Sequence, residues 1–225
     1  MLAENVIQIS NAFDLVFSDM PSLVYRTALE MMCNVALERR LGFLNLRNDS
    51  QEMIKIMTAL KGYQTASNQA MYGLPWWKYF PASLSGVFTR LVEHKDTLFY
   101  TIGSLVDNSL QAEEEVNEVS ILGQLLQNQA LPLKEVKVSC VDYITAGVDT
   151  VGNTLIYALY LISSQPRVQS KLRRELDEID DDLLTPETIQ NLTYLRACIK
   201  ESFRMYPTAS QIARLTEEPL PVTGG

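Results

Sequence analysis

Apolar positions recur at spacings of three and four along most of this chain, a pattern that predicts one helix after another. Residues 21–41 hold Leu23, Val24, Ala28, Leu29, Met31, Met32, Val35 and Ala36, enough for a mostly buried helix. Arg39 and Arg40 fall in its last turn, and Gly42 supplies a stop. Asp49 or Ser50 can cap a second helix, whose inward positions Met53, Ile54, Ile56, Met57 and Leu60 run out near Gly62. Residues 73–81, with four aromatic side chains between Gly73 and Pro81, read as a loop. Beyond it, Leu84, Val87, Phe88, Leu91, Leu98, Ile102 and Val106 belong to the cleanest amphipathic pattern in the chain.

Glu113, Glu114 and Glu115 mark a solvated linker, and a short helix follows over 120–128. Residues 133–164 predict a long, largely apolar helix. Pro166 opens another, which passes through Arg173-Arg174-Glu175-Leu176 and ends at the acidic run 180–182. Thr185-Pro186-Glu187 combines a capping hydroxyl, a first-turn proline and an acid near the helix dipole. The last helix spans about 191–205 and is stopped by Pro207; the tail, with Pro219, Pro221, Gly224 and Gly225, has the spacing of a short strand and turn. There is no internal repeat. The fold class is mainly α.

Composition narrows the function more than the fold. With 225 residues and 47% apolar side chains, the chain can build a sizeable core. A net charge of -8 and no basic tract argue against a nucleic-acid partner. Cys33, Cys140 and Cys198 sit singly in helical patterns and read as small buried hydrophobes. His94 is the sole histidine, which leaves no Cys/His zinc set and no credible nucleophilic triad. No apolar run reaches the roughly 18 residues of a membrane span, and the N-terminus carries no signal-peptide or presequence pattern.

Chemistry concentrates in the fifth predicted helix, at Ala146-Gly147-Val148-Asp149-Thr150. Glycine costs a helix roughly 1 kcal/mol against alanine, and an adjacent Asp-Thr pair in a buried helix needs partners. Two readings stand. Gly147 can open a groove in which Asp149 and Thr150 act as a proton-delivery pair, which is general acid chemistry. Alternatively Gly147 allows close helix packing, and Thr150 bonds back to a carbonyl of its own helix. Further on, Glu201 and Arg204 stand three apart, an easy salt bridge, within the string Leu195-Arg196-Ala197-Cys198-Ile199-Lys200-Glu201-Ser202-Phe203-Arg204-Met205-Tyr206-Pro207.

The two motifs in this order resemble the I and K helices of the cytochrome P450 monooxygenases. The stretch from Gln165 to Leu176 is similar to the family's J helix. The resemblance covers most of the chain and implies a partial P450 domain over residues 1–225, from roughly helices D/E to K plus the start of the following hairpin. The I helix would lie at about 133–164 and the K helix at about 191–205. It implies haem b as cofactor, with Ala146, Gly147 and Thr150 beside it and Arg214 on a propionate, and Asp149 and Thr150 as the catalytic pair. Glu201 and Arg204 are then a structural lock. The implied reaction inserts one oxygen atom of O2 into a lipophilic substrate.

Two details resemble the mitochondrial branch, which takes electrons from an acidic ferredoxin. Arg196 and Lys200, four apart, match the basic ferredoxin-binding positions of that branch's K helix. The loop holding Trp76, Trp77 and Phe80 is similar to the branch's membrane-touching loop. The implied location is mitochondrial, on the matrix side of the inner membrane, with the endoplasmic reticulum as the alternative. Val151 departs from the family by replacing a second hydroxyl residue. No cysteine lies in the glycine-framed loop that supplies the axial thiolate, so no metal ligand is assigned. The expectation is therefore a fragment or truncated isoform, inactive and poorly soluble alone. A non-enzymatic short isoform that binds ferredoxin is the second reading.

Overall fold

The computed structural model describes residues 20–45, 50–72, 86–111, 120–128, 130–179 and 185–209. These contain α1 (Met20–Leu37), α2 (Gln51–Tyr72), α3 (Gly86–Gln111), α4 (Ile121–Gln127), α5 (Leu133–Ser163), α6 (Pro166–Asp177), α7 (Pro186–Asn191) and α8 (Thr193–Met205). No strand occurs among the described residues, and the fold is mainly α. The expected strand and turn at 219–225, the aromatic loop with Trp76, Trp77 and Phe80, and Arg214 all lie outside the described residues.

Two compact units divide the chain, Met1–Gly152 and Asn153–Gly225. In the first, α2 and α3 pack along one another, and the pairing of Gly62 with His94 and of Gln69 with Arg90 shows that they run antiparallel. Their apolar faces meet α1, α4 and α5 in one core, with Leu29, Ile56, Ile102, Leu122, Ile144 and Val148 fully buried. Polar links secure the edges: Lys137 pairs with Asp107, and Arg39 Nη1 donates to Asn108 O at 3.2 Å.

The ends of the helices follow local chemistry. Ser50 Oγ accepts from Met53 N at 3.1 Å and starts α2, and Ser120 Oγ accepts from Gly123 N at 2.9 Å to start α4. Thr185 Oγ1 does the same for α7, from Thr188 N at 3.2 Å. Helix α1 stops four residues before the predicted end. Glu38 takes a left-handed φ of 53°, and Glu30, buried on α1, turns its carboxylate to the following loop. It accepts from Leu41 N, Gly42 N and Phe43 N at 2.9, 3.1 and 2.9 Å, which satisfies three amides that a longer helix would have used internally.

Conversely, α2 runs ten residues past Gly62, the glycine that had read as its end. Gly62 is instead a packing position: a Cβ there would overlap the His94 imidazole of α3. Two glycines do the same where α1 meets α5. A Cβ on Gly147 would overlap Met32, with Sδ only 2.5 Å away, and a Cβ on Gly152 would lie 2.8 Å from the Tyr25 ring. Helix α5 is thus seated on α1 by absent side chains.

In the second unit the described buried hydrophobic residues are Ala158, Leu172 and Leu192. Helices α6 and α8 pack together, joined by Glu175, whose carboxylate accepts from Tyr194 N at 2.7 Å, Leu195 N at 2.8 Å and Thr193 Oγ1 at 3.3 Å. Tyr157 and Tyr206 stack with ring centroids 4.5 Å apart. No described helix is long and apolar enough to cross a membrane.

The α1–α5 contact yields a signed prediction. Gly147→Ala should lower stability by on the order of 1 kcal/mol, because overpacking at Met32 outweighs the gain in helix propensity. In a Met32→Ala background the same substitution should raise stability. Urea unfolding of the four combinations reads the sign; destabilisation of equal size in both backgrounds would show that Met32 is not the obstacle.

Candidate functional site

Because α5 is fixed on α1 through Gly147, the remaining motif residues are assigned to defined faces. Val148 is fully buried in the core. Ala146 and Thr150, one turn apart, are both exposed, and Tyr143 continues the same stripe. Thr150 Oγ1 donates within its own helix, to Ala146 O at 3.0 Å and to Gly147 O at 3.2 Å. The back-bonded threonine and the packing glycine are both features of the second reading of this motif, and neither conflicts with an open Ala146–Thr150 face.

Asp149 lies beside that face, half-buried. Burial pushes its carboxyl above the ordinary value near 3.8, and no hydrogen bond or ion pair to it occurs among the described residues. One turn earlier, Thr145 carries a buried hydroxyl with no partner among the described residues. Sequence reading had passed over this threonine, because a Thr in a helix normally bonds back as Thr150 does. Two polar side chains with incomplete partners therefore flank the open stripe.

The second unit holds the other predicted site residues, all on α8. Arg204 grips Glu201 in a two-point contact, Nε to Oε2 at 2.8 Å and Nη2 to Oε1 at 2.6 Å. The Arg204 guanidinium holds the Glu201 carboxyl below the usual carboxylate range. Both side chains are exposed, so the pair carries little stability by itself. Arg196 and Lys200 are also exposed on α8, and Arg196 Nη1 donates to Gln190 O at 3.1 Å, the C-terminal end of α7.

Sequence reading missed that tether, as it missed the Glu175 carboxylate at the start of α8. The backbone amide of Tyr194, followed by that of Leu195, pulls Glu175 below its usual range against a smaller opposing effect of burial. Its only sequence signal was the string Arg173-Arg174-Glu175-Leu176, which gave no hint of a partner.

All three cysteine thiols are pushed up from their ordinary value. Burial, with Glu30 second, raises Cys33 to about 12, and burial raises Cys140 to about 11. Cys198 is raised as well, by burial and then by Glu175. No group of three or more His, Cys, Asp or Glu residues fit to hold a metal occurs among the described residues.

A sequence description of the cytochrome P450 family matches residues 8–224. The chain belongs to the cytochrome P450 family. It is 30% identical over 220 residues to ecdysone 20-monooxygenase of Drosophila melanogaster, which takes in 93% of this chain and 40% of that protein. It is 27% identical over 208 residues to the mitochondrial 1,25-dihydroxyvitamin D(3) 24-hydroxylase of Rattus norvegicus, covering 89% of the chain and 39% of the relative. With the mitochondrial sterol 26-hydroxylase of Oryctolagus cuniculus it shares 28% over 220 residues, covering 92% and 40%.

The similarity thus runs to the mitochondrial branch, and the chain spans about 40% of the length of these relatives. A crystal structure of a cytochrome P450 superposes with a TM-score of 0.60 at 18% identity, over 84% of this chain and 43% of that one. This likeness carries the fold: the described helices are a portion of the P450 architecture.

The raised carboxyl of Asp149 gives a pH prediction with a definite sign. A carboxyl lifted by burial loses favourable energy as pH rises from its unfolded value through its folded one. Asp149→Asn should therefore melt at a higher temperature than the parent at pH 7. The gap should close below the ordinary value near 3.8. Thermal melts across that range check it; a variant less stable at pH 7 would mean the carboxylate has a favourable partner.

Proposed function

We propose that this protein acts as a haem-dependent monooxygenase that inserts one oxygen atom of O2 into a lipophilic substrate, with electrons from an acidic ferredoxin. The single observation that carries the reading is the open Ala146–Thr150 face of α5 with Asp149 beside it, in a chain of the P450 family. Ecdysone, a vitamin D derivative and a sterol stand in the relatives' names, which supports a lipophilic substrate. The relatives named as mitochondrial support the same compartment.

The residues present fit a haem. Ala146 offers a methyl group and Thr150 a hydroxyl on one exposed stripe, and their polar flank, Asp149 and Thr145, is short of partners among the described residues. When bound, the haem supplies the oxygen-activating redox chemistry that no side chain provides. Thr150 holds its proton in the bond to Ala146 O and can pass it outward as the hydroxyl turns. Asp149, half-buried beside this face with its carboxyl raised by burial, is the group placed to connect the stripe to solvent protons.

Arg214 is assigned to a haem propionate and the Glu201–Arg204 pair to a structural lock. Arg196 and Lys200 form the ferredoxin-docking pair, with Trp76, Trp77 and Phe80 at the membrane. None of Cys33, Cys140 and Cys198 lies in a glycine-framed loop, so the axial thiolate is assigned to none of them. These 225 residues by themselves are accordingly inactive. The exposure of Arg196 and Lys200 also favours the second reading, in which this stretch binds ferredoxin without catalysis.

In the whole protein, reduction under carbon monoxide should give the red-shifted Soret band of a thiolate-ligated haem. Asp149→Asn and Thr150→Ala should slow turnover by about a hundredfold while leaving that spectrum intact. Arg196→Glu with Lys200→Glu should abolish ferredoxin capture at low salt. An unshifted Soret band overturns the monooxygenase reading, and capture that survives the double charge reversal removes the docking pair.

A further inference from the structure

One cavity in the first unit is built from chemistry that none of the preceding roles uses. It is an open cleft of about 420 Å³ between α2 and α3, and Lys61, Arg90 and His94 line it together with Thr58 and Gln69. We propose that this cleft binds a phosphate group, carried either by a phospholipid headgroup or by a soluble phosphate ester. The proposal does not depend on haem or on the α5 face.

Charge is the first argument. The chain has a net charge of -8, yet no aspartate or glutamate lines this cleft, while two permanent cations and the sole histidine do. No ion pair occupies Lys61, Arg90 or His94 among the described residues. Cations gathered in a cleft without a counter-charge repel one another, so the arrangement costs energy until an anion enters.

Geometry is the second. Arg90 Nη2 donates to Gln69 Oε1 at 3.3 Å, a link from α3 to α2 between two exposed side chains. A planar guanidinium presents its remaining N–H groups as a fork suited to phosphate oxygens. His94 is half-buried, and its ring rests so close to Gly62 that a Cβ there would overlap Nε2, Cε1 and Cδ2. The ring is inserted between the helices, where an ordinary surface histidine would be solvated. The cleft is also larger than a bare phosphate needs, leaving room for the group that carries it.

The test uses the full-length native protein with two probes. Vesicles of four parts phosphatidylcholine to one part phosphatidic acid, against phosphatidylcholine alone, are followed by co-sedimentation. Inorganic phosphate is followed through the imidazole resonances of His94. Lys61→Ala with Arg90→Ala should weaken binding to the anionic vesicles about 30-fold, at near one decade or less per cation lost. Lys61→Arg, which keeps both cations and the Arg90 guanidinium, should retain most of it. Lys55→Ala with Lys95→Ala, the same charge change on exposed positions of α2 and α3 outside the cleft, should have a much smaller effect.

A response of His94 to inorganic phosphate, with competition against vesicles, identifies soluble phosphate as sufficient. Vesicle preference without that response identifies the headgroup. Equal vesicle binding by the Lys61/Arg90 variant and the parent, with an unmoved His94, overturns the proposal. So does an equal loss in the Lys55/Lys95 control, which would show diffuse attraction only.

Discussion

The approach of α1 to α5 at Met32 and Tyr25 leaves no room for side chains at Gly147 and Gly152, and this contact decides which way α5 faces. With Ile144 and Val148 driven into the core, the helical period leaves Ala146 and Thr150 on the open side, and Asp149 between the two environments. The polarity of the motif is then tolerable, because Thr150 satisfies its hydroxyl inside the helix and Asp149 keeps part of its solvent. One packing constraint thus sets both the stability of the first unit and the chemistry of its exposed face.

Electrostatics organises α8 in a different way. Its first turn is held by a carboxylate from α6, its last turn carries an internal Glu201–Arg204 pair, and Arg196 is tethered to the end of α7. Lys171 adds its ammonium over the Tyr194 ring at 4.2 Å. These are exposed or half-exposed contacts, each modest, and they fix direction more than energy. The direction they fix leaves Arg196 and Lys200 exposed on α8.

Most helices were legible in the sequence because a three-four apolar spacing reports a buried stripe directly. The limits of α5 and the start of α6 fell within one residue of the pattern, α6 ended at Asp177 short of the expected acidic run, and Thr185 and Ser50 capped as their residue types suggested. The errors share a physical cause, which is that one residue type serves two purposes. Gly62 read as a terminator, yet it makes space for a ring in the middle of α2.

Glu30 and Glu175 drew no reading from the sequence, whereas each satisfies backbone amides of another segment. Such partners lie eleven to twenty residues away, and no local pattern encodes them. In the candidate site, the residue types were legible from the family resemblance. Their division between a packed flank at Gly147 and an open flank at Ala146 and Thr150 needed the position of Met32.

The central claim is that the open flank of α5 is the one that meets the haem. Selective carbon-13 labelling of alanine and methionine methyl groups in the full-length, haem-loaded protein measures this through the paramagnetism of the ferric iron. Ala146 should show strong paramagnetic shift and broadening, and Met32, on the far flank across Gly147, should show far less. A Met32 methyl perturbed as strongly as that of Ala146, or more strongly, would contradict the account.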